Sequence, residues 1–298
     1  MIEEIVKQGI VEATTLHMQL NDPLVKLIDA TFVMPGAADN PRTNWKKKRI
    51  GNAAFFDIDE IADQNTDLPH MLPSPEEFER AVSAMGIRDN HMVVVYGQSG
   101  MVMGPARAWW MFRTFGHDKV CVLNGGLPAW LKEGYKLNTE PPQTPTPSNF
   151  KAFFRPELVR NMHDITKAFK EDKEGKRNQG ETVSIFDARP APRFNGTAPE
   201  PRAGLRSGHI PGSRNIQASD LVYMENGKLK PYEELYEIFI EAGYVPGTPA
   251  ITTCGSGVTA CLIALALHNQ GFNASVYDGS WAEWGQEVLQ TEVETSKK

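Results

Sequence analysis

Two stretches of the chain repeat one pattern of apolar and polar positions. Lys26-Leu27-Ile28-Asp29-Ala30 is a short apolar run closing on an acid, and Val183-Ser184-Ile185-Phe186-Asp187-Ala188 has the same form. A helix-period stretch follows in each, at 75–85 and 231–242, and both open on a proline (Pro75, Pro231). Proline fits the first helical turn, where an N–H has no acceptor within the helix. Buried-strand runs come next, Met92-Val93-Val94-Val95-Tyr96 and Pro249-Ala250-Ile251-Thr252-Thr253. Each leads through a glycine-rich turn into a long apolar helix and a further strand. The two copies end on Asn124-Gly125-Gly126-Leu127-Pro128-Ala129-Trp130 and Asp278-Gly279-Ser280-Trp281-Ala282-Glu283-Trp284. The halves read as diverged copies of one unit.

Between 138 and 156 the periodicity stops and prolines gather at Pro141, Pro142, Pro145 and Pro147. Such a stretch favours extended backbone over a packed element. The expected organisation is a domain at 1–137, a Pro/Thr-rich linker at 138–156 and a second domain at 157–298. Strands that alternate with helical stretches, apolar on both faces, predict α/β domains, each a parallel sheet with helices on both faces. Ligands of such sheets bind at the C-terminal ends of the strands.

Composition narrows the function. The 298 residues are 41% hydrophobic and 23% charged, with a net charge of -6. No apolar run approaches a bilayer span, and no broad positive field exists to hold nucleic acid. Lys46-Lys47-Lys48-Arg49 is one short basic run, read as a solvated loop. The N-terminus, Met1-Ile2-Glu3-Glu4, places acid where targeting leaders avoid it, so the expected compartment is the cytoplasm, with the mitochondrion as the alternative. Three cysteines, Cys121, Cys254 and Cys261, are too few and too scattered for a disulfide framework or a structural zinc site.

Cys254 has the distinctive setting. It follows a buried strand and opens Cys254-Gly255-Ser256-Gly257-Val258-Thr259-Ala260, ahead of an apolar helix. Gly255 and Gly257 free the backbone so that successive N–H groups can turn toward one anion, and the helix directs its positive end to the same place. Both effects favour a thiolate, so Cys254 is the expected nucleophile. Tyrosine-phosphatase loops share this placement but need an arginine six positions after the cysteine; here that residue is Ala260. Gly97 stands at the matching position of the first copy, which lacks a nucleophile. Cys121 reads as a packing residue, and Cys261, expected two turns inside the loop helix, as core.

These motifs resemble the tandem-domain form of the rhodanese superfamily over nearly the whole chain. The segment 254–260 is similar to the loop of its mercaptopyruvate sulfurtransferase branch, whereas thiosulfate sulfurtransferases have basic residues after the cysteine. Asp278-Gly279-Ser280-Trp281 and Gly208-His209-Ile210-Pro211-Gly212 are also similar to the family. The first copy departs from the second motif with Arg49-Ile50-Gly51-Asn52. The resemblance implies transfer of sulfur from 3-mercaptopyruvate through a Cys254 persulfide to a thiol, such as thioredoxin or a small thiol, or to cyanide. Pyruvate is released, and no metal or organic cofactor is implied. The rival readings are a thiosulfate sulfurtransferase and a non-catalytic rhodanese-like regulatory module.

A mercaptopyruvate site needs a fixed cation for its carboxylate, a task suited to the planar fork of arginine. The segment 189–202 offers Arg189, Arg193 and Arg202. By resemblance, Arg193 and Arg202 match the family's substrate arginines, and the loop residues Gly255, Gly257, Val258 and Thr259 complete the substrate cradle. The resemblance also implies a proton relay of Asp59, His70 and Ser256, with Asp57 a competitor for the acid's place. His209 is expected to hold a turn.

Overall fold

The computed structural model describes residues 2–34, 37–100, 103–173 and 183–296. Met1 and Lys298, the outer ends of the expected domains, lie outside the described residues. Contacts divide the chain into two units. Unit 1 takes the chain up to Gln64, Leu72–Arg155 and Tyr223–Leu229; unit 2 takes Asn65–Met71, Pro156–Val222 and the chain from Lys230 on. Each unit thus owns one short segment from the other's side of the sequence.

Unit 1 runs α1 (Ile2–Gln8), β1 (Ile10–Val11), α2 (Ala13–Gln19), β2 (Val25–Asp29), α3 (Pro41–Lys47), β3 (Ala54–Phe55), α4 (Pro75–Ala84), β4 (Met92–Tyr96), α5 (Met103–Thr114), β5 (Val120–Leu123) and α6 (Gly126–Lys132). Its five strands are parallel in the order β1-β5-β4-β2-β3. β4 is buried at every position, as a central strand covered on both faces must be. α4 begins at a capping box, in which Ser74 and Glu77 satisfy each other's backbone N–H, with Pro75 in the first turn. Its buried residues, Phe78 and Val82, lie one turn apart, and Phe78 packs against Phe112, Phe115 and Phe150. Removing a ring from such a cluster costs about 3–5 kcal/mol, so Phe78→Ala would unfasten α4.

The segment at 138–156 carries no regular element over most of its length, yet it is packed on unit 1. Asn138 bridges Arg49, Ser148 donates its N–H to Ser83 O at 2.8 Å, and Phe150 is buried. Proline content removed the helix and strand signals without removing the contacts.

The second half of the chain runs β6 (Val159–Arg160), α7 (Met162–Lys173), β7 (Ser184–Asp187), α8 (Ala191–Phe194), β8 (Arg214–Asn215), β9 (Val222–Tyr223), β10 (Lys228–Leu229), α9 (Tyr232–Glu241), β11 (Ala250–Thr253), α10 (Ala260–Asn269), β12 (Ala274–Tyr277) and α11 (Ser280–Trp284), of which Tyr223 and β10 cluster with unit 1 and the rest with unit 2. The parallel order β6-β12-β11-β7-β8 repeats that of unit 1 strand for strand, and β9 and β10 form a separate two-stranded sheet. Pro231 occupies the N-cap of α9, one residue earlier than a first-turn proline. α10 is buried from Ala260 through Leu267, consistent with a helix apolar on all sides. It sets the end of β11 as the place where loop chemistry begins.

Candidate active site

β11 ends at Thr253, and Cys254 opens the loop to α10. The thiol is free and the residue only 2% exposed. Gly257 holds the loop's turn at φ 76°, a conformation that side chains rarely adopt. The backbone N–H groups of Gly255, Ser256, Val258 and Thr259 find no acceptor among the described residues. Thr259 is the N-cap of α10 and its side chain makes no capping bond. Val258 is buried and Gly255, Ser256 and Thr259 are half-buried, so these N–H groups remain open to acceptor atoms other than those of the described residues.

The nucleophile's own backbone is fixed from the opposite side. Cys254 N–H donates to Ser280 Oγ at 3.1 Å, and its carbonyl accepts from Trp281 N–H at 2.9 Å. Ser280 Oγ donates in turn to Tyr277 O at 2.8 Å. Ser280 sits at φ 49°, strained for a residue with a side chain, and this strain brings its hydroxyl to Cys254.

The three loop arginines take different places. Arg189 is 1% exposed and locked to Asp187, to Glu200 (2.9 Å) and to Gly208 O. Burial alone would lower its pKa, but the charges and hydrogen bonds of Asp187 and Glu200 raise it above the ordinary value. Its guanidinium lies 4.2 Å over the Trp281 ring. Arg193, on α8, bonds Glu200 and brings Nη2 within 3.1 Å of the point where a β-carbon on Gly255 would lie. Arg202 is half-buried and makes no hydrogen bond or ion pair among the described residues. One arginine is therefore structural, one overhangs the cysteine loop, and one has its full donor set to offer.

Ser256, half-buried, likewise makes no hydrogen bond among the described residues. His70 lies in the segment that clusters with unit 2, the unit of Cys254. Its backbone is left-handed at φ 61°, and both ring nitrogens are sealed from solvent. Asp59 belongs to unit 1. Asp57 is engaged there, accepting from Arg42 at 2.9 Å and from the N–H groups of Asp59 and Glu60.

The remaining candidates are structural. His209 stacks on Phe194 at 3.8 Å and bonds Phe194 O, holding the turn as expected. Cys121 is fully buried in β5, and burial pushes its thiol far above the ordinary value. Cys261 is core, but it lies in the first turn of α10 and not two turns inside, with Sγ donating to Gly257 O at 3.2 Å. The loop is tighter than its length implied, and the helix starts correspondingly late. Two residues of the site escaped the sequence reading. Ser280 was visible only as part of a motif, and Glu200 only as a lone acid between two prolines among three arginines.

A family model described as the rhodanese-like domain matches residues 12–133 and again 168–287. The chain belongs to the rhodanese family. It is 40% identical to the 3-mercaptopyruvate sulfurtransferase of Escherichia coli K12 over 277 residues, 92% of this chain and 94% of that protein. It is also 40% identical to thiosulfate/3-mercaptopyruvate sulfurtransferase 1, mitochondrial, of Arabidopsis thaliana, over 93% of this chain and 76% of that protein. The crystal structure of the Escherichia coli 3-mercaptopyruvate sulfotransferase SseA matches with a TM-score of 0.80 at 38% identity, covering 92% of this chain and 99% of that one. As in that rhodanese fold, each half is a parallel sheet flanked by helices. Among the described residues no helix is long and apolar enough to cross a membrane.

Proposed function

We propose that this chain is a sulfurtransferase that takes sulfur from 3-mercaptopyruvate onto Cys254, releases pyruvate, and passes the sulfur to a thiol or cyanide. The observation that carries the reading is the cysteine loop, in which the N–H groups of Gly255, Ser256, Val258 and Thr259 find no acceptor among the described residues and the Arg193 guanidinium lies beside Gly255. The Cys254 thiolate attacks the donor sulfur and an S–S bond forms. The donor's C–S bond breaks, and its electron pair leaves with the carbon as the pyruvate enolate. That carbon takes a proton, and the persulfide then yields its outer sulfur to the acceptor, restoring the thiolate.

Arg193 and Arg202 are assigned to the donor's carboxylate and ketone, and the amides of Gly255, Gly257, Val258 and Thr259 to the sulfur and its charge. His70 and Ser256 are assigned to the proton. Asp59 is kept as the acid of that relay in preference to Asp57, whose carboxylate is already shared by Arg42 and two amides. The test is donor-dependent pyruvate release, with cyanide and with a small thiol or thioredoxin as acceptors. Pyruvate from mercaptopyruvate at a rate well above sulfur release from thiosulfate is expected; the reverse order would make the chain a thiosulfate enzyme. His70→Ala should lower kcat by about 10²–10⁴-fold with a smaller change in donor KM, because acid–base assistance acts in the transition state.

A further inference from the structure

Glu200 has no role in the reaction as written, yet its carboxylate is buried, at 1% side-chain exposure. Its Oε1 accepts from Arg189 Nη1 at 2.9 Å and from Arg193 Nε at 3.2 Å, and its Oε2 accepts from Arg193 Nη2. Nε and Nη2 lie on one edge of the planar guanidinium, and Nη1 and the second hydrogen of Nη2 form another. Glu200 therefore occupies the first edge. The second makes no hydrogen bond among the described residues, and its Nη2 is the atom beside Gly255.

The anchor of this arrangement is equally specific. Arg189 reaches Glu200 with Nη1 while Nε and Nη2 are bound to Asp187 at 3.0 and 2.6 Å. The same guanidinium stacks on Trp281, whose N–H holds the Cys254 carbonyl. Glu200 thus ties the wall that fixes the nucleophile to the cation that overhangs its loop.

We infer that Glu200 is the positioning residue for donor binding: it grips Arg193 along one edge and so presents the opposite edge to the donor carboxylate. The inference rests on the proposed reading of Arg193 as a carboxylate ligand. Removing Glu200 has two opposed effects on an anionic donor. An uncompensated Arg193 attracts anions more strongly, while a guanidinium free to swing loses the paired geometry that makes a carboxylate contact strong. Geometry decides here, because Arg193 keeps its charge either way and a misdirected fork forfeits a contact worth about 10-fold or more.

The test is a double-mutant cycle in the full chain, with Glu200→Gln, which preserves volume, beside Glu200→Ala. Donor KM and kcat are measured at saturating acceptor for wild type, Arg193→Ala, each Glu200 variant and the doubles. Glu200→Ala should raise donor KM about 10-fold with kcat nearly unchanged, and Glu200→Gln, which can still accept one of the two bonds, should fall between it and wild type. In the Arg193→Ala background the Glu200 substitutions should add nothing to KM, because their effect passes through Arg193. Persistence of the full Glu200 effect in that background, or a KM that falls when Glu200 is removed, would overturn the inference while leaving Arg193's role intact. An unchanged KM for Arg193→Ala alone would instead remove the carboxylate reading on which the inference stands.

Discussion

At the end of β2 stand Asp29, Ala30 and Thr31; at the end of β7 stand Asp187, Ala188 and Arg189. Both acids are fully buried at the corresponding point of their two sheets. In unit 1, Thr31 Oγ1 bonds Asp29 and accepts the Gln98 N–H at 2.8 Å, while the Gln98 side chain reaches the other oxygen of Asp29. Gln98 follows Gly97 as Gly255 follows Cys254, so a donor of that loop is consumed within the protein. In unit 2 the threonine's place is taken by Arg189, which turns away to Asp187 and Glu200, and Gly255 has no side chain to fill the space. The loop amides stay available, and cations replace hydroxyl and amide groups around them. Glycine in place of the cysteine is one of several differences between the two loops.

That comparison can be broken most forcefully by moving the thiol. Cys254→Ser should abolish pyruvate release while leaving the far-ultraviolet circular dichroism unchanged. Adding Gly97→Cys to that variant should restore none of the activity, because the Gln98 N–H of unit 1's loop is taken by Thr31, which stands in the place of Arg189. Pyruvate release from the double variant would show that the two loops are equivalent after all.

The buried acids should differ next. Asp187→Ala leaves Arg189 in the interior with half its neutralisation gone, a change of about 3–5 kcal/mol. Asp29→Ala unpairs only neutral donors, at roughly 1–3 kcal/mol. Urea unfolding of both variants checks the order, and an equal loss would mean that the ion pair confers nothing special on unit 2. Among the ligands, Arg202→Ala should raise donor KM about 10- to 100-fold for a lost charge-assisted contact; steady-state kinetics giving a change under twofold would leave the carboxylate to other groups.

The smallest effect concerns pH. Burial raises the Asp29 pKa above 3.8, and hydrogen bonds from Thr31 and Gln98 offset it only in part. The folded protein therefore holds this proton more tightly than the unfolded chain. The associated stability is fully present below 3.8 and is lost as pH rises through the raised folded value. Asp29→Asn cannot titrate, so its Tm should fall less than that of wild type across this window, and parallel Tm profiles would contradict the assignment.

Much of this was legible in the residues. The run Met92–Tyr96 gave a buried strand at its true bounds because apolar positions on both faces leave little choice of element. The two copies and the loop at Cys254 followed from order and spacing alone. What stayed hidden depends on three-dimensional pairing. The exchange of Asn65–Met71 and Tyr223–Leu229 between units has no local signature, and it means that a fragment starting at 157 lacks His70. Glu200 gains its place only when Arg189 and Arg193 converge on it. The late start of α10 at Ala260 reflects a loop bound to α11 through Trp281 and Ala282, contacts distant in sequence.

The central claim is that Cys254 alone carries the transferred sulfur. Mass spectrometry of peptides from full-length protein treated with 3-mercaptopyruvate and no acceptor tests it directly. The expected result is the mass of one added sulfur on the Cys254 peptide, none on the Cys121 or Cys261 peptides, and one pyruvate released per chain so labelled. Sulfur found on another cysteine, or pyruvate formed with Cys254 unmodified, would contradict the account.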